Sequence, residues 1–104
     1  MEEFEVRVAK SAENDLRDIG RYISVQLNAQ VAALNMVQTI RKSIAKLKTA
    51  ALIHPLVRND RLRAMGYRLL TIKSYSAFYI VNEKEKVVFV ERILHGRRDW
   101  MNIL

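Results

Sequence analysis

The sequence predicts an α+β domain, a helical hairpin laid on one face of an antiparallel sheet, and three observations predict it. Phe4, Val6 and Val8 alternate with Glu5 and Arg7, the two-residue period of a strand with one buried face. Between residues 12 and 48 the apolar positions recur at steps of three and four, the period of two amphipathic helices in succession. From Gly66 onward come three strand-like runs, joined by links so short that neighbours must be antiparallel. No internal repeat or low-complexity segment interrupts this order, and strands and helices in separate runs put the helices on one side of the sheet. The 104 residues are read as one domain, 1–104, large enough to bury roughly two thirds of the surface of its unfolded chain.

Each element has its own signature. Ser11 is a good N-cap, and after it Leu16, Ile19, Ile23 and Leu27 fall on one stripe while Asp15, Arg17, Asp18 and Arg21 face water, so a helix is expected over residues 12–27. Asn28 can end that helix and cap a second, in which Leu34, Val37, Ile40, Ile44 and Leu47 repeat the spacing to about Lys48. Residues 49–64 lose the pattern around the only proline, Pro55, and read as a loop with room for one helical turn. The three runs that follow cover residues 67–73, 75–82 and 87–94, separated by Ser74 and by the charged turn Glu83, Lys84, Glu85, Lys86. Val87, Val88, Phe89 and Val90 are apolar on both faces, the mark of a central strand covered on both sides, with Glu91 and Arg92 then pointing to opposite faces. The first strand should pair beside one of these three, leaving the other sheet face at least partly open. Trp100, Ile103 and Leu104 close the chain with apolar surface expected to pack on the sheet.

Composition narrows the function classes. Cysteine is absent, which excludes disulfides, thiolate zinc sites and cysteine nucleophiles and fits a reducing compartment. No apolar run approaches the roughly 20 residues needed to cross a bilayer, and the opening MEEFEVRV is acidic and alternating, unlike a signal peptide, so a cytoplasmic location with no membrane contact is expected. The net charge is +7, but residues 1–30 hold four cations against six carboxylates, leaving them at −2 and the remainder at +9. A field of that sign steers polyanions, nucleic acid or an acidic protein, toward the second half, screened over about 8 Å at physiological salt.

Acid–base chemistry has few candidates, since the only histidines are His54 and His95. His95, Arg97 and Arg98 gather with Arg92 and Arg68 around the turn-forming Gly96, and such a set could cleave RNA: a base takes the 2′-hydroxyl proton, a cation holds the phosphorane charge, an acid protonates the leaving oxygen. One histidine among arginines is more often a hydrogen-bonded residue at a strand end, and that is the plainer reading of His95. The carboxylates Glu83, Glu85 and Glu91 match no ligand loop, and Gly20, Gly66 and Gly96 are isolated, so no metal and no cofactor are expected. Arg58, Arg61, Arg63, Arg68, Lys73, Arg92, Arg97 and Arg98 share the second half with Tyr67, Tyr75, Tyr79 and Trp100, a set that offers phosphate contacts and stacking platforms. An acidic protein segment would use the same residues.

Two local motifs carry a resemblance. The run AENDLRDIGRYI in the first helix and the ending ILHGRRDWMNIL, the more specific of the two, are similar to the opening and closing motifs of ParE-type proteins, and over nearly its whole length the chain resembles the RelE/ParE superfamily of toxins, halves of type II toxin-antitoxin pairs. The resemblance implies a cytoplasmic growth inhibitor of the plasmid-stabilisation kind, silenced in a toxin-antitoxin hetero-oligomer when the C-terminal segment of a cognate acidic antitoxin wraps it. It also implies one of two targets. RelE-type members are ribosome-dependent messenger-RNA endonucleases; ParE-type members act on DNA gyrase without cleaving RNA. The nucleases carry an essential arginine early in the third strand, in a pattern like Y-R-L-V-Y, where this chain reads Tyr75, Ser76, Ala77, Phe78, Tyr79. Ser76 cannot supply that cation, and losing one such donor commonly costs about 100-fold or more in rate. The resemblance therefore favours the gyrase branch, with Arg68, Arg92, Arg97, Arg98 and Trp100 as target- or nucleic-acid-binding residues; on the nuclease alternative His95 is the acid or base and Arg68 and Arg97 hold phosphate. A third reading is a non-toxic module that only binds antitoxin.

Overall fold

The computed structural model describes residues 2–96 and 104. Strand β1 (Glu5–Val8) leads into helix α1 (Lys10–Arg21), which continues as a π-helical turn over Tyr22–Gln26. Helix α2 (Gln30–Ala45) runs back and ends in the single turn α3 (Leu47–Ala50). After the loop comes the short helix α4 (Asp60–Ala64), then strands β2 (Arg68–Ile72), β3 (Tyr75–Asn82) and β4 (Val87–His95). The sheet order is β1-β4-β3-β2, so the chain folds into the α+β arrangement expected, with β4 inside the sheet. β2, β3 and β4 form the antiparallel meander, while β1 pairs parallel to β4, Glu5 opposite Val87 and Val8 opposite Val90. That parallel pairing follows from the hairpin, whose two helices carry the chain away from the sheet and back between β1 and the meander.

The helices cover one face. Leu16 of α1, Ile40 and Ile44 of α2 and Leu47 of α3 pack on Tyr75, Ala77, Tyr79, Val88, Val90 and Ile93, and this cluster is the main core. On the other face a smaller cluster of Val57, Leu62, Tyr67, Phe78 and Leu94 gathers beneath α4, with Leu104 packed against it. Asn59 caps α4 by accepting from the Leu62 N–H at 3.1 Å. The helix stops at Gly66, whose φ of +88° suits the residue past a helix end; Gly66 N–H bonds Arg63 O and Tyr67 N–H bonds Leu62 O. Outside that cluster the face is thinly covered, and Phe89 is only half-buried, beneath the Arg7 guanidinium.

Several expectations need correction. Helix α1 starts two residues early and has no side-chain cap; Ser11 Oγ instead donates to Glu91 O at 2.7 Å, tying the helix to β4. Asn28 ends the first helix at φ 48° but does not cap the second, whose N-cap is Ala29. The π-turn bonds Leu27 N–H to Tyr22 O, one residue wider than an α-turn, which rotates Leu27 off the buried stripe and leaves it 56% exposed. On α2 the inward stripe passes through Ala33 rather than Leu34. The alternation on β4 also breaks: Tyr79 sits opposite Val90 and Phe78 opposite Arg92, so Glu91 is an extra residue in a β-bulge. Val88 and Val90, and after the bulge Ile93, therefore share the helix side.

Candidate functional site

Strand β1 ends at Val8, opposite Val90, so beyond Val90 one edge of β4 has lost its strand partner. The first turns of α1 supply substitutes. Ala9 N–H bonds Val90 O at 2.9 Å, Ser11 takes Glu91 O, and Asp15 Oδ2 accepts the Ile93 N–H at 2.9 Å. The same Asp15 carboxylate grips the Arg92 guanidinium at both oxygens, 2.7 and 2.9 Å, and this hydrogen bond is the main reason the Arg92 pKa rises further above its ordinary value. Asp15 is thus not a solvent-facing helix residue as its charge suggested: its side chain is 11% exposed and its three hydrogen bonds join α1 to the strand end. The missed signal lies in spacing, because Asp15 falls three after Ala12 and four before Ile19, on the inward side of the helix.

Two grooves reach Tyr75 at this end of the sheet. One, about 330 Å³, lies between α1 and the strand ends and is lined by Asp15, Asp18, Tyr22, Tyr75 and His95 with Ile19, Ile93 and Leu94. His95 packs edge-on against Tyr75 with ring centres 5.1 Å apart, and burial raises the Tyr75 hydroxyl above its usual pKa. The other, about 870 Å³, opens on the opposite face between residues 55–58 and the meander. Its polar lining is Arg58, Thr71, Lys73, Ser74, Tyr75 and Ser76, the rest being Pro55, Leu56, Val57, Leu69 and Gly96. The grooves therefore differ in sign: carboxylates line the first and cations the second.

The residues expected to act together are dispersed. Arg68 stands at the far end of β2, opposite Tyr79, whereas Ile72, Tyr75 and His95 line up at the near end. Sheet geometry thus puts Arg68 roughly 15 Å from His95. The Arg68 guanidinium donates to His54 O at 2.7 Å and to Leu52 O at 3.4 Å, which holds the loop against the sheet. Nearby, Tyr79 Oη donates to Ala51 O at 2.7 Å, and burial pushes its pKa up to about 12. Arg92 is engaged by Asp15. Ser76 lines the cationic groove, while His95 lines the other. Arg97, Arg98 and Trp100 lie outside the described residues.

This architecture has counterparts among known proteins. Residues 6–100 match the family model described as the ParE toxin of the type II toxin-antitoxin system, parDE. A solved structure of the chromosomal ParDE system from P. aeruginosa superimposes with a TM-score of 0.76 at 23% identity, covering 90% of this chain and 97% of that one. The RelBE2 toxin-antitoxin complex from Mycobacterium tuberculosis gives a TM-score of 0.58 at 18% identity, covering 89% and 98%. No curated protein matches the sequence. Because the family model takes in the strand, the hairpin and the whole meander, the chain belongs to the ParE toxin family of type II toxin-antitoxin systems.

Proposed function

We propose that this ParE family member inhibits growth by binding DNA gyrase rather than by cleaving RNA, and that a cognate acidic antitoxin silences it. One observation carries the choice between mechanisms. Cleaving a phosphodiester by the 2′-hydroxyl route needs a base, an acid and a cation around one phosphate. The cationic groove offers Arg58 and Lys73, but among the described residues its lining contains neither histidine nor carboxylate, and Ser76 stands where nucleases of the superfamily carry arginine. His95 lines the other groove. Such a surface is suited to holding a partner and poorly suited to turnover.

The same groove supports the antitoxin reading. An acidic segment would be drawn to residues 31–104, which carry +9, and could pair with Arg58 and Lys73 while its apolar residues met Leu56 and Leu69. It could also add a strand to an outer edge of the sheet, where β1 and β2 lie. Binding of this kind would stabilise the fold by mass action.

The purified chain should inhibit supercoiling of relaxed plasmid by gyrase and leave messenger RNA intact on translating ribosomes. His95→Gln should inhibit as well as the parent. Ribosome-dependent cleavage that His95→Gln abolishes would instead establish the nuclease alternative. Loss of neither activity because neither exists, with antitoxin binding retained, would leave the non-toxic module.

A further inference from the structure

In a chain of net charge +7, the groove of about 330 Å³ between α1 and the strand ends is lined by carboxylates and aromatic rings and, among the described residues, by no lysine or arginine. Its two carboxylates differ. Asp15 is engaged by Arg92 and by the Ile93 N–H, whereas Asp18 is exposed and makes no hydrogen bond or ion pair among the described residues. Arg21 shares a neighbouring groove with Asp18 and Tyr22 but does not pair with that carboxylate.

A second group points into the same space. Tyr75 is only 8% exposed and lines the groove, yet its hydroxyl has no hydrogen-bond partner among the described residues. Burial first, and the Tyr22 phenol second, raise its pKa, so the two phenols lie close to each other. A buried hydroxyl left without a partner is costly, and the groove is the side from which a partner can arrive. Tyr22 stands at the rim, 56% exposed, and the His95 ring lies edge-on to Tyr75.

These groups select a ligand. A carboxylate without a counter-ion calls for a cation, and aromatic rings favour a cation that can lie flat against them. The walls of Ile19, Ile93 and Leu94 cannot replace the strong hydration shell of an ammonium. A guanidinium meets all three conditions. It is planar and weakly hydrated, and its fork of N–H donors can pair with Asp18 while giving one hydrogen bond to the Tyr75 hydroxyl. A free amino acid fits poorly, because the described lining holds no lysine or arginine for its carboxylate. A side chain reaching in from a protein brings no such charge.

We infer that this groove receives an arginine side chain of a partner protein, with Asp18 pairing the guanidinium and Tyr22 and Tyr75 supplying the ring and hydroxyl contacts. It is a docking point opposite in sign to the cationic groove, and it does not depend on gyrase being the target.

Nuclear magnetic resonance of the isotope-labelled full chain, made by cell-free synthesis and titrated with the blocked peptide glycyl-arginyl-glycine, tests it. The signals of Asp18, Tyr22, Tyr75 and His95 should shift, with a dissociation constant on the order of millimolar. The same peptide carrying citrulline, equal in shape but uncharged, should leave them in place, and a lysine peptide should bind at least about fivefold more weakly. Asp18→Asn should weaken binding at least about tenfold and Tyr22→Ala at least about threefold. Both side chains are exposed, so the circular dichroism spectrum should not change. Glu83→Gln, at the exposed turn between β3 and β4, should bind as the parent does. The inference is overturned by an absence of shifts at these four residues, by equal binding of the citrulline or the lysine peptide, by binding that survives both Asp18→Asn and Tyr22→Ala, or by an equal loss in Glu83→Gln. The titration involves neither gyrase nor RNA, so its failure would leave the proposed target standing.

Discussion

Asp15 shows how much one side chain can organise when it sits where a strand edge has run out of partners. It accepts the Ile93 N–H and two N–H groups of Arg92 from a position 11% exposed, so removing it takes the acceptor from a buried amide and two charge-assisted hydrogen bonds from the guanidinium. Asp15→Ala should cost about 2–4 kcal/mol in urea unfolding, and a double-mutant cycle with Arg92→Ala should show strong coupling. Tyr79 makes a prediction in pH. Its folded pKa is raised to about 12 against an ordinary value of 10, so its contribution is complete below pH 10 and is lost as the pH rises toward 12. The urea midpoint should fall across that window, by an amount equivalent to about 2 kcal/mol for this group, and Tyr79→Phe should flatten the fall while costing about 1 kcal/mol at neutral pH through its lost bond to Ala51 O. Neither role was readable as such. The charge of Asp15 suggested water, because a carboxylate is buried only where partners wait for it, and those partners lie 77 and 78 residues further along the chain. Arg68 was legible as a basic residue on β2 but not as a clamp on the loop carbonyls of Leu52 and His54, since carbonyl partners leave no trace in side-chain pattern.

At the scale of elements, periodicity located each strand and both long helices to within a few residues, because each buries one continuous stripe on the sheet. Where the pattern misled, the cause was a local change of period. The π-turn adds a residue to the end of the first helix and carries Leu27 outward; the bulge at Glu91 adds one to β4 and moves the inward position that follows Val90 from Arg92 to Ile93. An apolar residue at the right spacing cannot reveal either, since both insertions leave the composition of the stripe intact. The short helix α4 was visible only as an interrupted loop, being too brief for periodicity, and its existence rests on its ends. Asn59→Ala should therefore destabilise the smaller core by about 1 kcal/mol, measured by thermal unfolding, with hydrogen exchange quickening first at the amides of α4.

The whole molecule divides its charge along the chain: residues 1–21 at −2, an uncharged stretch over residues 22–40, and residues 41–104 at +9. The sequence made this division plain, as it did the family, whose two motifs sit at opposite ends of the chain and meet in the fold where α1 is tied to β4. It could not show that the cationic groove and His95 lie on different sides of the strand ends, which depends on the bulge and on which face α4 covers. That separation supports the proposal that the chain acts by binding rather than by cleaving RNA. The most direct measurement is pulse labelling of DNA and protein synthesis in the first minutes after inducing the chain in a bacterium that lacks the antitoxin. DNA synthesis should fall first while protein synthesis continues. Protein synthesis falling first would contradict the account and make Arg68, His95 and Arg97 the residues to test for RNA cleavage.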